Sequence, residues 1–121
     1  MNAPAVLVVD DNADNRNLAL RMLKVIGARV ADQAANAEEC LEALASGTYD
    51  TILMDISMPE VSGIELCLTV RRMPGFESVR IVACTAHASV REAKRFHDAG
   101  FNDVLTKPFL IADLKRAVWP T

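Results

Sequence analysis

No run of lysine and arginine in this chain is dense enough to form a nucleic-acid stripe. Its 13 basic residues face 16 acidic ones, for a formal charge of −3, so direct binding to nucleic acid is not expected. Long hydrophobic runs are also missing. The opening MNAPAVLVVDD reaches acids after a short apolar run with no basic residue ahead of it. That pattern fits neither a signal peptide nor a membrane span, and it predicts a cytoplasmic address without membrane insertion. Glycine and proline number only 5 each, and no repeat, low-complexity tract or Ser/Gly/Pro linker interrupts the chain. With 51% hydrophobic and 24% charged residues in 121 positions, the sequence reads as one globular domain over 1–121, with no output domain. Cysteine is scarce as well. Cys40, Cys67 and Cys84 are odd in number, widely spaced and without C-x-x-C or Cys/His metal spacing, so they read as buried, reduced thiols.

What is present is an alternation of short apolar runs with longer stretches of helical period. AVLVV at residues 5–9 has strand length and is followed by Asp10, Asp11 and Asn12. A helix then places Leu18, Met22, Val25 and Ile26 on one face and stops at Gly27. A weaker strand is expected at 28–31. Asn36 opens a second helix, with Cys40, Leu41, Leu44 and Ala45 apolar before Gly47. Residues 51–54 form a third strand and 79–84 a fourth. Ser62–Glu65 and Ser89–Glu92 are capping-box patterns that begin the third and fourth helices. That fourth helix carries Ala93, Phe96 and Val90 as its inward candidates on an otherwise polar surface. After Gly100 come a short fifth strand at 102–105 and a last helix at 110–119, with Leu110, Ile111, Leu114, Ala117 and Val118 inward. Five strand-then-helix units with continuously apolar strands predict a doubly wound α/β fold, a parallel sheet covered on both faces.

The chemistry collects at one edge. Asp10 and Asp11 follow the first strand, Asp55 the third, Thr85 the fourth and Lys107 the fifth. All lie at carboxyl ends, where open α/β sheets bind ligands. Three converging carboxylates would repel one another and raise one another's pKa unless a cation sits among them. A hard divalent ion meets that demand. Mg²⁺, or Mn²⁺ in its place, suits carboxylate oxygens and phosphate, whereas zinc would want His or Cys nearby. Lys107 supplies a fixed positive charge, and Thr85 a hydroxyl donor, to an anion attached near Asp55. Such a set could hold the oxygens of a transferring phosphoryl group, and carboxylates can accept that group.

VLVVDDN, LMDISMPEVSG, VACTA and LTKPF, in that order and spacing, resemble the receiver domain of two-component response regulators and hybrid sensor kinases. The resemblance implies a flavodoxin-like (βα)5 fold with strand order 2-1-3-4-5 and Asp55 as phosphoacceptor. It implies that Asp11 and Asp55 bind Mg²⁺ directly, that Asp10 supports the ion through water, and that the Ser57 backbone carbonyl completes the ligands. Thr85 and Lys107 take the phosphoryl oxygens, and the Lys107–Pro108 bond is expected to be cis. Ser57 and His87 match the two positions that modulate hydrolysis, and Ala86 the small residue beside the phosphate. The implied partners are a sensor histidine kinase or a histidine phosphotransfer protein, with an unknown downstream target. In such domains the chain catalyses only its own phosphorylation and dephosphorylation. The DDNADNR opening resembles hybrid-kinase receivers. Val104 departs from the pattern, since the family often carries Tyr or Phe at this switch position. Phosphorylation is therefore expected to be reported through the fourth helix and its loops rather than by a swinging ring.

Other residues have plainer readings. Asp50 and Asp103 read as solvated or capping acids, His87 and His97 as surface histidines, Trp119 as packing for the last helix, and Met54 and Met58 as core filler. Three alternatives stand beside the main one. A degenerate receiver would bind partners without phosphorylation. A haloacid-dehalogenase-like phosphatase would place a D-x-D nucleophile after the first strand, where this chain has adjacent acids. An FMN-binding flavodoxin would need a phosphate-cradling loop where Asp10 and Asp11 stand.

Overall fold

A computed structural model describes residues 3–120; Met1, Asn2 and Thr121, the outermost residues of the two termini read above, lie outside them. The elements run β1 (Ala5–Val9), α1 (Ala13–Ile26), β2 (Val30–Ala34), α2 (Ala37–Ser46), β3 (Thr51–Asp55), α3 (Gly63–Arg72), β4 (Arg80–Thr85), α4 (Val90–Ala99), β5 (Asp103–Thr106) and α5 (Ile111–Val118). The sheet is parallel throughout, in order β2-β1-β3-β4-β5. This is the doubly wound arrangement expected from the apolar strands. Alternation along each strand sends successive side chains to opposite faces. Leu7, Val9, Ile52, Met54 and Ile81 pack with the helical residues Leu44, Leu66, Val70 and Phe96 on one side. Val6, Val8, Leu53 and Val82 pack with Leu23, Leu114 and Val118 on the other. Thus α1 and α5 cover one face, and α2, α3 and α4 the other. All three cysteines are buried and free, and both Met54 and Met58 lie in the core. No helix among the described residues is long and apolar enough to cross a membrane.

The caps explain where most helices begin. The side chains of Asn12, Asn36, Ser62 and Ser89 accept hydrogen bonds from the backbone N–H groups of Asn15, Glu39, Glu65 and Glu92, each satisfying one orphan donor of a first turn. Gly27 and Gly100 end α1 and α4 in the left-handed region at φ 86° and 110°.

Several sequence expectations are corrected. The second strand occupies Val30–Ala34 rather than 28–31, because the turn at Gly27 commits the Ala28 N–H to the Leu23 carbonyl at 3.0 Å. Pairing with β1 begins only afterwards, at Ala5 opposite Val30. In α1 the sheet-facing stripe is Ala19, Met22 and Leu23, while Leu18 and Val25 are 53% and 70% exposed. The covered face is thus rotated by about one residue, onto Ala19 and Leu23. Ala45 is exposed. Val90 is 89% exposed because it is the first residue of α4. Leu110 (72% exposed) is the extended N-cap of α5, and Ile111, which follows it, also points outward.

One close approach matters for the site. A Cβ on Gly63 would lie 2.3 Å from the Asp55 carbonyl oxygen and 2.8 Å from the Ile56 Cα. The first turn of α3 is therefore seated directly on the backbone of Asp55, and backbone cannot rotate away. Gly63→Ala is expected to destabilise the protein by about 2–3 kcal/mol, typical of overpacking, which lowers the melting point by roughly 10 °C. Thermal melts followed by circular dichroism check this, and an unchanged melting point would show that the loop yields.

Candidate functional site

β1 and β3 are neighbours, with Val9 opposite Met54. The residues that end them, Asp10 and Asp55, therefore emerge side by side, and both are buried. β5 lies two places from β3, and the chain just past it still pairs with β4: the Lys107 N–H donates to the Thr85 carbonyl at 2.8 Å. The Lys107 ammonium then donates to Asp55 Oδ1 at 2.9 Å and to Asp10 Oδ2 at 3.0 Å. Asp10 Oδ1 accepts from the Asn12 N–H at 2.9 Å. Asp11 is exposed, and one carboxylate oxygen from each of Asp10, Asp11 and Asp55 lies within 4.8 Å of the others.

These contacts set the electrostatics. Burial pushes the Asp55 carboxyl above its ordinary value, the Lys107 hydrogen bond opposes that, and the charges of Asp10 and Asp11 push it up further. Burial alone would lower the Lys107 pKa. Hydrogen bonds to Asp55 and Asp10, together with their charges, more than reverse this and raise it. Lys107 offsets one of three negative charges and leaves two. An oxygen-only donor set with two charges to spare fits Mg²⁺, and no His or Cys belongs to the cluster, as zinc would require.

The other sequence-derived residues are placed differently. Ser57 is exposed in the loop after β3, where Glu60 adopts φ 68°. Thr85 is buried, but its hydroxyl donates to the His87 carbonyl and accepts from the His87 N–H, both at 3.1 Å. It thus faces the β4–α4 loop rather than the acids. Ala86 and His87 are exposed, as is His97. Val104 is half-buried against the core beneath α2, α3 and α4. The Lys107–Pro108 bond is cis. Asp50 accepts from the Ala5 N–H at 2.8 Å and Asp103 pairs with Arg80 at 3.2 Å, so both acids serve the opposite end of the sheet. Trp119 packs beside α1 and α5 with its indole Nε1 buried and without a partner among the described residues.

Two features were not read from the sequence. Arg16 reaches back from α1 to the Asp10 carbonyl at 2.8 Å; its only signal was its place at the end of DDNADNR. A cavity of about 240 Å³ also opens beside Asp55 and Lys107, lined by Leu18, Cys84 and Phe109 among others. That is below the roughly 300–1,000 Å³ of typical sites for larger ligands, so it suits a small group better than a flavin. Burial pushes the Cys84 thiol up to about 12, which leaves it protonated and a poor nucleophile at neutral pH.

Comparison with known proteins identifies the family and the fold. The sequence model of the response regulator receiver domain matches residues 6–119. An uncharacterized 14.6 kDa protein of Leptolyngbya boryana is 39% identical over 113 residues, covering 93% of this chain and 86% of that one. The signal transduction histidine-protein kinase BarA of Escherichia coli is 35% identical across 88% of this chain, which spans only 11% of the kinase. Among solved structures, the chemotaxis protein CheY4 of Vibrio cholerae superposes with a TM-score of 0.87 at 26% identity, covering 96% and 99% of the two chains. The receiver domain of sensor histidine kinase PA1611 from Pseudomonas aeruginosa, solved with a magnesium ion coordinated in its active-site cleft, gives 0.85 at 31% identity over 97% and 95%. With the family model spanning the chain from β1 to the end of α5, and the acids and lysine gathered where its sheet ends, this chain belongs to the response regulator receiver domains of two-component signalling.

Proposed function

We propose that this chain is a phosphorelay receiver: in the cytoplasm it accepts a phosphoryl group on Asp55 from the phosphohistidine of a sensor kinase or a histidine phosphotransfer protein, and the modified form binds its target differently. The observation that carries this reading is the Lys107 ammonium bridging two buried carboxylates beside a third. Mg²⁺ would be held by Asp10, Asp11 and Asp55 with the Ser57 carbonyl, and when bound it supplies positive charge against the phosphoryl oxygens.

The chain's own residues do the rest. An Asp55 oxygen attacks phosphorus, and the P–N bond to the donor imidazole breaks. The electron pair stays on nitrogen, which takes a proton from solvent. Lys107, already bonded to Asp55 at 2.9 Å, can pass a hydrogen bond to a phosphoryl oxygen without a large movement, and preorganised charge of this kind is the main resource of phosphoryl transfer. Ser57 and His87, both exposed and each two residues past a strand end at Asp55 and Thr85, would tune attack by water on the acyl phosphate.

Thr85 supplies the switch. To donate to a phosphoryl oxygen, its hydroxyl must leave the His87 carbonyl, which loosens the loop there while the oxygen can still accept from the His87 N–H. The loop so released leads into α4, whose only buried residue is Phe96, and loosely packed elements are the ones that move. Val104 has no ring to swing. Phosphorylation is therefore expected to shift the NMR resonances of residues 86–100 while the Val104 methyl rotamer stays unchanged. Unshifted resonances across that segment would rule this route out.

Incubation with acetyl phosphate and Mg²⁺, followed by intact-mass measurement, tests the whole reading. One phosphoryl adduct that peptide mapping places on Asp55, and that chelation of the metal prevents, is the expected result. A degenerate receiver would gain no mass. Rapid turnover of phosphomonoesters would instead favour a phosphatase.

A further inference from the structure

Arg16 lies in the first turns of α1, outside the acidic cluster, yet it holds the cluster's backbone. Its Nη1 donates to the Asp10 carbonyl at 2.8 Å and its Nε to Gln33 Oε1 at 2.9 Å. One planar guanidinium thus ties the end of β1 to the end of β2. Because its donors are fixed in a fork, holding two acceptors leaves the group little rotational freedom.

The effect on Asp10 is complete. Its N–H donates to the Ala34 carbonyl at 3.1 Å, its two carboxylate oxygens accept from Asn12 and Lys107, and Arg16 takes the carbonyl. That carbonyl belongs to the planar peptide unit whose far end is the Asp11 Cα. Clamping the oxygen fixes the plane from which Asp11 leaves the chain. Asp11 is exposed and has no ion pair among the described residues, so nothing at its own carboxylate orients it.

We infer that Arg16, buttressed by Gln33, is a positioning residue that presents the Asp11 carboxylate to a divalent cation. The inference rests on the metal-dependent reading of the acidic cluster given above. Groups that orient ligands from behind typically change metal affinity about 10–100-fold when removed.

The test is calorimetric titration of Mg²⁺ alone into the wild-type protein, Arg16→Met, Arg16→Lys and Gln33→Leu, with the Asp11 amide followed by NMR. Arg16→Met is expected to raise the Kd for Mg²⁺ about 10-fold or more. Arg16→Lys should recover part of the loss, since an ammonium can still donate to the Asp10 carbonyl, and Gln33→Leu should give a smaller rise. In acetyl phosphate assays the Mg²⁺ concentration for half-maximal phosphorylation should rise, while the rate at saturating Mg²⁺ holds. An unchanged Kd with a lowered melting point would show that Arg16 only fastens α1 to the sheet, and would overturn the inference. Should Arg16→Met fail to fold, unchanged Kd values in Arg16→Lys and Gln33→Leu would overturn it equally. A wild-type protein that binds Mg²⁺ but takes no phosphoryl group would remove the phosphorelay reading and leave this inference standing; one that binds no Mg²⁺ overturns both.

Discussion

Asp55→Asn is expected to abolish the phosphoryl adduct outright while making the metal-free protein more stable. The first effect follows from chemistry, because an amide nitrogen or oxygen does not replace a carboxylate nucleophile. The second follows from the surroundings: Asp55 is buried beside Asp10 and Asp11, and burial holds its carboxyl above the ordinary 3.8. The folded protein therefore binds the Asp55 proton more tightly than the unfolded chain does. Below about pH 3.8 both states are protonated there and the residue is neutral in its effect. As pH rises from there through the raised folded value, the unfolded chain ionises freely and the folded one does so at a cost, so stability is lost across that window. The advantage of the asparagine variant should grow over the same range until the folded carboxylate is ionised, reaching about 1 kcal/mol or more for like charges at this spacing. Thermal or urea melts of both proteins in chelator, taken from pH 4 to 8, read the difference. A less stable variant at pH 7 would mean that the Lys107 bond outweighs the repulsion.

Lys107→Met should slow phosphoryl uptake from acetyl phosphate by about 10²–10³-fold, the usual effect of removing one preorganised charge from a developing anion. Unlike Asp55→Asn, it should also destabilise. It leaves Asp10 and Asp55 buried together without the cation that bonds both. Breaking a fully buried pair typically costs about 3–5 kcal/mol. The Lys107 side chain is 26% exposed, so water relieves part of this and about 2 kcal/mol is expected. At neutral pH the lysine contribution is fully present, because the stabilisation that its raised pKa reflects is lost only as pH rises past its ordinary 10.5. Coupling separates the two roles. On the Asp55→Asn background one carboxylate is already neutral, so Lys107→Met should destabilise less than it does in the wild type. Equal costs on both backgrounds would show that Lys107 acts through packing alone.

Much of this site was legible along the chain because parallel strands end where the polarity changes. Val9 gives way to Asp10 and Met54 to Asp55, and those transitions mark the sheet edge without coordinates. Helix starts at Ser62 and Ser89 were equally legible, since a cap is a local bond between residues three apart. Faces were less so. Leu18 and Val25 share a helical stripe with Met22, yet they point outward because Ala19 and Leu23 meet the strands instead. The periodicity of a helix names its stripes but not the one the sheet will cover. The edge strand β2 was misplaced because Ala31, Asp32 and Gln33 are exposed and carry little apolar signal.

From the order of amino acids alone came the doubly wound α/β class, the candidacy of Asp10, Asp11, Asp55, Thr85 and Lys107, and the departure at Val104. Each of these depends on residue type and spacing along one chain. The folded chain was needed to see that Lys107 reaches across to two acids at once, that Thr85 is turned into its loop, that Gly63 rests on the Asp55 backbone, and that Arg16 clamps the Asp10 carbonyl. These are contacts between elements. Strand order, loop path and helix rotation settle them together, and no local pattern in the sequence carries the distance between Lys107 and an acid 52 residues away.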